Sequence, residues 1–183
     1  MAMHNQGVGT WIHRRREKSA GKVALVSSGK ELRYEEFAAR VDRLANAFAG
    51  WGIAKGDRVA YLGENHAAFL ETFFACGTLG AIFVPLNTRL AAPEIEFALE
   101  NSGSRILVNA RSVEGLAVPG SRGTQVERRL VVEDVPAAGS ADDSPAAGNA
   151  EDGQAPPSYF LKTRLLPQTI RTWMWRCRWR IRR

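Results

Sequence analysis

The chain has 183 residues, of which 45% are hydrophobic and 24% are charged, so its composition is that of a soluble protein with one buried core. The formal charge of +6 is confined to residues 158–183, which hold eight Lys and Arg and no acid, whereas residues 1–157 hold 17 basic and 19 acidic residues. The sequence has no apolar leader, no run of 18 apolar residues and only two cysteines, which argues against secretion, a membrane span and a disulfide framework. We therefore expect a cytoplasmic location.

The first 22 residues are predicted to be an N-terminal arm with a short amphipathic helix. It begins near Trp11-Ile12, and the run Arg14-Arg15-Arg16 is expected to face solvent. Next, Val23–Val26 and Leu32–Tyr34 flank Ser27–Lys30, a pattern typical of a β-hairpin. No phosphate-binding loop is indicated here, because neither Gly-Lys pair is followed by Ser or Thr.

A helix is predicted from Tyr34 to Gly50. Its apolar residues recur at helical spacing with charged residues between them, as in a half-buried surface helix. The apolar positions are Tyr34, Phe37, Val41, Leu44, Ala45 and Phe48. This stripe could line a ligand groove, but core packing is the stronger interpretation.

The stretch from Asp57 to Leu90 is predicted to be a strand, a buried helix and a second strand. Val59–Leu62 is an apolar strand, and Asn65 is a candidate helix cap. The helix over Ala67–Leu79 carries so many apolar side chains that we expect it to be covered on all sides. A strand over Ala81–Val84 follows, and Pro85 is expected to end it. Such a βαβ unit implies parallel strands.

After Leu90 the same alternation continues. Pro93 is suited to the first turn of a helix that ends at Asn101–Gly103, and Arg105–Val108 is the next strand. Leu130–Val132 is a further short apolar run, and a strand there is what the family resemblance described below implies. Residues 23–133 are therefore predicted to be one α/β unit with a mostly parallel sheet and flanking helices.

The last fifty residues differ in composition. Residues 134–157 are mainly Ala, Gly, Pro, Ser and Asp, so we expect a disordered linker. Residues 158–183 form a basic Trp/Arg tail in which apolar residues and arginines alternate from Trp173 to Arg182. A period of two separates these residues on a strand and scatters them around a helix.

Motifs for catalysis are absent from the sequence. It has no Gly-x-Ser-x-Gly, no dinucleotide-binding glycine pattern, no CxxC pair and no HExxH. His4, His13 and His66 are isolated, so no metal site is predicted. Cys76 lies in the apolar helix and is expected to be an inert, packed thiol.

The central stretch resembles the N-terminal part of the adenylate-forming enzymes, in particular the fatty-acyl-CoA ligases. In chain order the matching residues are Gly56-Asp57-Arg58-Val59-Ala60, Asn65, Phe69, Phe73-Phe74-Ala75, Leu79-Gly80-Ala81 and Val84-Pro85-Leu86-Asn87-Thr88-Arg89-Leu90. The likeness runs from about Val23 to Val108. It implies the N-terminal subdomain of that fold and a parent reaction in which ATP activates a fatty acid as an acyl-adenylate before CoA displaces AMP.

The resemblance also implies what this chain lacks. The parent family uses ATP, Mg²⁺ and CoA, bound by a Thr-Ser-Gly-rich loop with a lysine, an adenine-binding segment, an acidic residue for the ribose and a C-terminal lysine, none of which occurs in residues 109–183. No catalytic residue can be assigned, and no cofactor is expected on this chain. Arg89 alone matches a position near the CoA entrance, where a guanidinium could meet a phosphate; an arginine that fixes the loop is the plainer alternative.

The sequence therefore favours a truncated, inactive fatty-acid–CoA ligase. One alternative is a non-catalytic α/β module that binds nucleic acid or an anionic membrane through its basic tail. Another is a piece that pairs with a separate chain supplying the missing domains. We interpret the tail as an out-of-frame translation, because a GC-rich gene read out of frame yields Arg/Trp runs.

Overall fold

The computed structural model describes residues 7–27 and 29–133, together with the backbone of residues 179–182. The helices are α1 (Gly9–Ser19), α2 (Tyr34–Gly50), α3 (Ala67–Leu79), α4 (Ala92–Ser102) and α5 (Glu114–Gly120). The strands are β1 (Val23–Ser27), β2 (Lys30–Arg33), β3 (Arg58–Leu62), β4 (Ile82–Leu86), β5 (Ile106–Ala110), β6 (Arg128–Val132) and β7 (Trp179–Arg182).

Two sheets contain the described strands. Strands β1 and β2 form an antiparallel hairpin, as predicted. The larger sheet has the order β4-β3-β5-β6-β7, in which β4, β3, β5 and β6 are parallel and β7 is antiparallel to β6. The predicted α/β class, with a mostly parallel sheet and flanking helices, is confirmed.

Helices cover both faces of the larger sheet. One core contains Ile12 of α1, the inner side of α2 and part of α3, packed on Val59, Tyr61 and Val108. The other core contains Ile95 and Leu99 of α4 with Ala117 of α5, packed on the alternate residues of the same strands. Strand β5 is buried along its whole length, because a parallel strand between two helical layers is covered on both faces.

Helix α2 follows the predicted pattern. Its buried residues recur every three or four positions, and they are Phe37, Ala38, Val41, Leu44, Ala45 and Phe48. The Glu36 carboxylate accepts a hydrogen bond from the Arg33 backbone N–H (2.9 Å), which closes the first turn. Phe37 and Phe48 of this stripe are therefore core residues, and Tyr34 packs half-buried against the core.

The expectation that α3 is covered on all sides is wrong. Its buried residues are mostly small or polar, namely Ala67, Ala68, Glu71, Thr72, Ala75 and Cys76, whereas Phe69, Phe73 and Phe74 are only half-buried. The small side chains let α3 approach α2 and α1 closely, so the bulky residues point to its less covered side. Gly80, at φ +68°, ends the helix as predicted.

Two local predictions are corrected, and one helix was missed. The cap of α3 is His66, whose Nδ1 accepts the Ala68 N–H (3.2 Å), and Asn65 is exposed beside it. Pro85 lies inside β4 and does not end it, because an edge strand tolerates a missing N–H on its open side. Helix α5 was not predicted, because its short sequence contains Gly115 and Pro119.

The N-terminal helix packs closely on α3. A Cβ added to Gly77 of α3 would lie 2.8 Å from the Gly9 backbone nitrogen and 2.8 Å from Val8 Cγ1. Nearby, Arg16 of α1 donates to Asp42 of α2 at 2.9 Å, while Arg14 and Arg15 are exposed as predicted. Two glycines thus permit the contact between these helices.

The predicted linker, 134–157, lies outside the described residues, and so does the tail, 158–183, except for the backbone of β7. That strand agrees with the period of two in the tail sequence. Among the described residues, no helix is long and apolar enough to cross a bilayer.

Candidate functional site

The candidate site lies at the carboxyl edge of the parallel sheet. After β3, the next strand in the chain, β4, is added on one side of the sheet, whereas after β5 the next strand, β6, is added on the opposite side. The strand order therefore reverses between β3 and β5. In open α/β sheets, ligands bind in the crevice at such a reversal of strand order. Here this edge is bordered by the loops that follow β3, β4 and β5.

Arg89 lies in the loop between β4 and α4, at this edge, and is exposed. The loop is shaped by other side chains. The Asn87 Oδ1 accepts the Arg89 backbone N–H at 2.9 Å, and the Glu94 Oε2 accepts the Ala91 N–H at 2.8 Å in a capping box. These bonds hold the backbone at both ends of the loop without the Arg89 guanidinium.

Asn109 is a polar residue at this edge that sequence reasoning missed. It lies on β5 beside Leu62 of β3 and is fully buried. Its Nδ2 donates to the Ala110 carbonyl at 3.0 Å, while its Oδ1 has no hydrogen-bond partner within the described part of the chain. An amide in an apolar strand was the available signal, since such a group is costly to bury without partners.

Beyond Asn109, the ends of β5 and β6 are joined by charged groups. Arg111 donates through Nε to Glu133 Oε2 at 2.6 Å and through a second nitrogen to the other carboxylate oxygen. Its remaining nitrogen lies 3.3 Å from Glu114 Oε2. A two-pronged arginine–carboxylate pair has fixed geometry, so these groups brace the edge.

The opposite, amino edge holds a second network around Arg105. Its guanidinium donates to Asp57 Oδ2 (2.9 Å) and to both oxygens of Glu127 (2.8 and 3.2 Å), and it also reaches the Gly52 carbonyl (2.9 Å). The pKa of Asp57 is lowered mainly by the hydrogen bond from the Ala54 N–H and, to a smaller extent, by Arg105. Arg105 also lowers the pKa of Glu127. This network ties loops together far from the carboxyl edge.

A buried ion pair joins α2 and α3. Arg40 Nε lies 2.7 Å from Glu71 Oε1, and the Glu71 side chain is completely buried. Burial raises the pKa of Glu71 because the desolvation penalty exceeds the opposing effects of Arg40 and Arg43. The contact links two helices, and we assign it a structural role.

Two further sequence predictions can be compared with the structure. Cys76 is buried, and this burial raises the pKa of its thiol to about 12, which fits an inert thiol. His66 caps α3, and His13 Nε2 lies 3.6 Å from Asp42 Oδ1. His4 lies outside the described residues.

A magnesium site does not fit the residues that the structure describes. Among them, no three His, Cys, Asp or Glu side chains come together as metal ligands. At the carboxyl edge, Glu133 is already paired with Arg111, and Mg²⁺ needs several oxygen ligands. No catalytic step is therefore assigned to a metal on these residues.

Comparison with known proteins gives a consistent family. The AMP-binding enzyme family matches residues 12–167. Feruloyl-CoA synthase of Amycolatopsis is 50% identical over 119 residues, which are 63% of this chain and 24% of that protein. The long-chain-fatty-acid–CoA ligase FadD13 of Mycobacterium tuberculosis is 39% identical over 105 residues, which are 56% of this chain and 21% of that protein.

Solved structures show the same fold. A fatty acyl CoA synthetase of Mycobacterium tuberculosis matches with a TM-score of 0.64 and 31% identity, over 70% of this chain and 26% of that one. The N-terminal domain of FACL13 from the same organism matches with a TM-score of 0.63 and 31% identity, over 70% of this chain and 33% of that one. This chain thus spans about a quarter of the length of the curated relatives it matches.

Proposed function

The chain belongs to the AMP-binding enzyme family, and we propose that residues 23–133 are the N-terminal α/β segment of an ATP-dependent acyl-CoA ligase. The observation that carries this proposal is the match to a solved fatty acyl CoA synthetase over 70% of this chain, at a TM-score of 0.64. In such a ligase the segment supplies one wall of the carboxyl-edge crevice, and ATP, Mg²⁺, the acid and CoA bind largely to other segments.

The chain on its own is proposed to be inactive. Adenylation needs donors and cations aimed at the charge that develops on the transferring phosphoryl group, and residues 1–183 contain no Thr-Ser-Gly-rich loop followed by a lysine. The test is ATP–pyrophosphate exchange by the purified chain with palmitate, dodecanoate or ferulate. We expect background rates, and exchange above background with any of these acids would contradict the proposal.

Ligase membership has a separate test. In a chimera, residues 7–133 of this chain replace the matching segment of Amycolatopsis feruloyl-CoA synthase, the relative that is 50% identical. We expect the chimera to fold and to retain ATP–pyrophosphate exchange with ferulate. A folded chimera without exchange would show that this segment does not fulfil the ligase role.

The identity of the carboxylic acid substrate is the more specific part of this proposal. The sequence resemblance favours a medium- or long-chain fatty acid, and a long-chain-fatty-acid–CoA ligase is among the relatives. A feruloyl-CoA synthase is among them at higher identity, so an aromatic acid is the second candidate. Both acids share the carboxylate activation that defines the proposed reaction.

Arg89 is proposed to contact a phosphate of CoA. Support comes from its exposure at the carboxyl edge and from a loop whose backbone is held by Asn87 and Glu94. In the chimera, Arg89→Gln should raise the KM for CoA about tenfold, the loss of one charged contact, with pyrophosphate exchange unchanged. An unaltered KM for CoA, or an effect equal to that of the exposed control Arg122→Gln, would contradict this role.

The comparisons give no support to the module that binds nucleic acid or an anionic membrane, and a separate chain with the missing domains remains a prediction that co-purification can test.

We propose that the tail, 158–183, is read out of frame, since acids disappear and three of five tryptophans fall within Trp173–Trp179. Translating the DNA after Gly153 in the other two frames should reveal a Thr-Ser-Gly-rich loop and a lysine. Their absence from both frames would contradict this origin.

A further inference from the structure

Positive charge is unevenly distributed over the part of the chain that the structure describes. Residues 7–33, which contain α1 and the β1–β2 hairpin, hold seven Lys and Arg but only two acidic residues. Residues 34–133 hold ten basic and twelve acidic residues. The N-terminal elements are therefore strongly basic, whereas the rest of the α/β unit is slightly acidic.

One side of α1 carries an exposed tryptophan together with three of these cations. The four residues are exposed and follow the spacing i, i+3, i+4 and i+7, and they are Trp11, Arg14, Arg15 and Lys18. Residues at this spacing start from the same side of a helix. The buried Ile12 and the single acid of α1, Glu17, fall outside this spacing. A large aromatic ring is thus exposed on a cationic side of the helix.

The β1–β2 hairpin continues this surface. The Arg15 guanidinium of α1 lies over the ring of Tyr34, 5.1 Å from its centroid, where β2 meets α2. The Tyr34 N–H donates to the Lys22 carbonyl at 3.0 Å, which ties the start of β1 to the same junction. The exposed cationic and aliphatic residues of the hairpin segment are Lys22, Val23, Val26, Lys30 and Arg33. Glu31 is the only acid in this segment. We call these five residues, with the four on α1, the N-terminal basic surface.

We infer that the N-terminal basic surface docks on an anionic lipid bilayer. A bilayer presents an anionic headgroup layer with an apolar layer beneath it, which suits cations that surround exposed apolar side chains. Trp11 and Val26 are 60% and 62% exposed, and a Trp ring at the bilayer interface places its apolar body among acyl chains and its N–H among headgroups. An acidic protein surface matches the cations but offers no apolar layer for these two side chains. The inference is separate from the proposed function and from the basic tail, 158–183.

The test measures binding of the full chain to vesicles of equal parts phosphatidylglycerol and phosphatidylcholine, by co-sedimentation at low salt. In the double variant Arg14→Gln/Lys18→Gln the vesicle partition coefficient should fall about 25-fold, because each cation near an anionic surface contributes about fivefold. The matched control is Lys55→Gln/Arg122→Gln, which removes the same charge at exposed positions outside the N-terminal basic surface. It should reduce partitioning less than about twofold, since distant charges are screened. The tail is present in every variant, so its contribution is common to all of them.

The apolar part of the surface has its own comparison. Trp11→Ala should weaken vesicle binding about tenfold, because the burial of one aromatic ring is lost, whereas Trp11→Phe keeps a ring and should retain most of the binding. The control is Phe97→Ala on α4, where a ring that is 70% exposed lies outside the N-terminal basic surface; it should leave vesicle binding unchanged. Because these side chains are exposed, the Tm of each variant should equal that of the parent chain.

Equal weakening of vesicle binding by the two double variants would overturn the inference, because binding would then follow the net charge or the tail. Equal binding to vesicles of phosphatidylcholine alone would overturn it too, as would a full chain that binds neither kind of vesicle. A loss of binding with Arg14→Gln/Lys18→Gln but none with Trp11→Ala would also count against the bilayer, since the surface would then bind anions through charge alone, as an acidic protein partner requires.

Discussion

Glu71 shows what the sequence around a single residue leaves out. Its neighbours Phe69, Leu70, Phe73 and Phe74 make α3 look uniformly apolar, and their spacing indicates no partner for a lone carboxylate. The structure instead buries it against Arg40, which lies 31 positions earlier in the chain. Nothing in the spacing of α3 signals this partner, because the contact is tertiary.

The buried carboxyl group makes a testable contribution to the pH dependence of stability. Its folded-state pKa is raised above the ordinary value of 4.5, so the folded state holds the proton more tightly than the unfolded chain does. The free energy of unfolding therefore falls as pH rises from about 4.5 through the folded pKa. Glu71→Gln removes this titration, so the variant should gain stability relative to the parent across that window.

Urea denaturation of both proteins between pH 4 and pH 7 measures the difference. Asp57 and Glu127, whose pKa values are lowered, contribute stability that is lost as pH falls, but they are common to both proteins and cancel. The exposed carboxylate of Glu100 supplies the control, and Glu100→Gln should give a flat difference. A flat difference for Glu71→Gln as well would show that desolvation does not govern this group.

At the scale of elements, the sequence predicted which segments form helices and strands better than it predicted their surroundings. The 3.6-residue period of α2 identified both the helix and its buried face. For α3 the composition identified the helix alone, because its covered side depends on α1 and α2. Helix α5 escaped prediction because a short segment with two glycines and a proline has low intrinsic helix propensity.

The contact between α1 and α3 is so close that one added methyl group should lower the stability of the protein. Gly77→Ala would place a Cβ 2.8 Å from the Gly9 nitrogen, and backbone cannot move aside as a side chain can. The better helix propensity of Ala is worth about 1 kcal/mol, while overpacking costs about 1–3 kcal/mol. We expect a net loss of about 1 kcal/mol in the free energy of unfolding, measured by urea denaturation.

The matched control for this substitution is Gly50→Ala at the end of α2, where an added Cβ meets nothing within 4 Å. It should be neutral or slightly stabilising. If Gly77→Ala is as harmless as Gly50→Ala, α1 is not held against α3 as the structure shows.

At the scale of the whole molecule, the alternation of strands and helices predicted the α/β class, but not the strand order. The order β4-β3-β5-β6 depends on crossovers between residues far apart in sequence, and a period along one strand carries no information about its neighbours. The candidate site shows the same limit. Arg89 was found by resemblance, whereas Asn109 and the Arg111–Glu133 pair emerged only when the strand ends were brought to one edge.

The antiparallel strand β7 gives the last prediction, because it tests whether the tail belongs to the fold. Arg180 lies opposite Val131 and Ile181 opposite Leu130, and adjacent residues of an antiparallel strand point their N–H groups to opposite sides. Proline removes the N–H, so only one of Arg180→Pro and Ile181→Pro should break a bond to β6. The free energy of unfolding of that variant should fall by about 1 kcal/mol, which lowers Tm by about 2–4 °C, and amide exchange in β6 should become faster. Arg180→Gln is the control for the lost charge. If both prolines are silent, β7 adds nothing to stability; if both are equally harmful, the effect does not arise from pairing with β6.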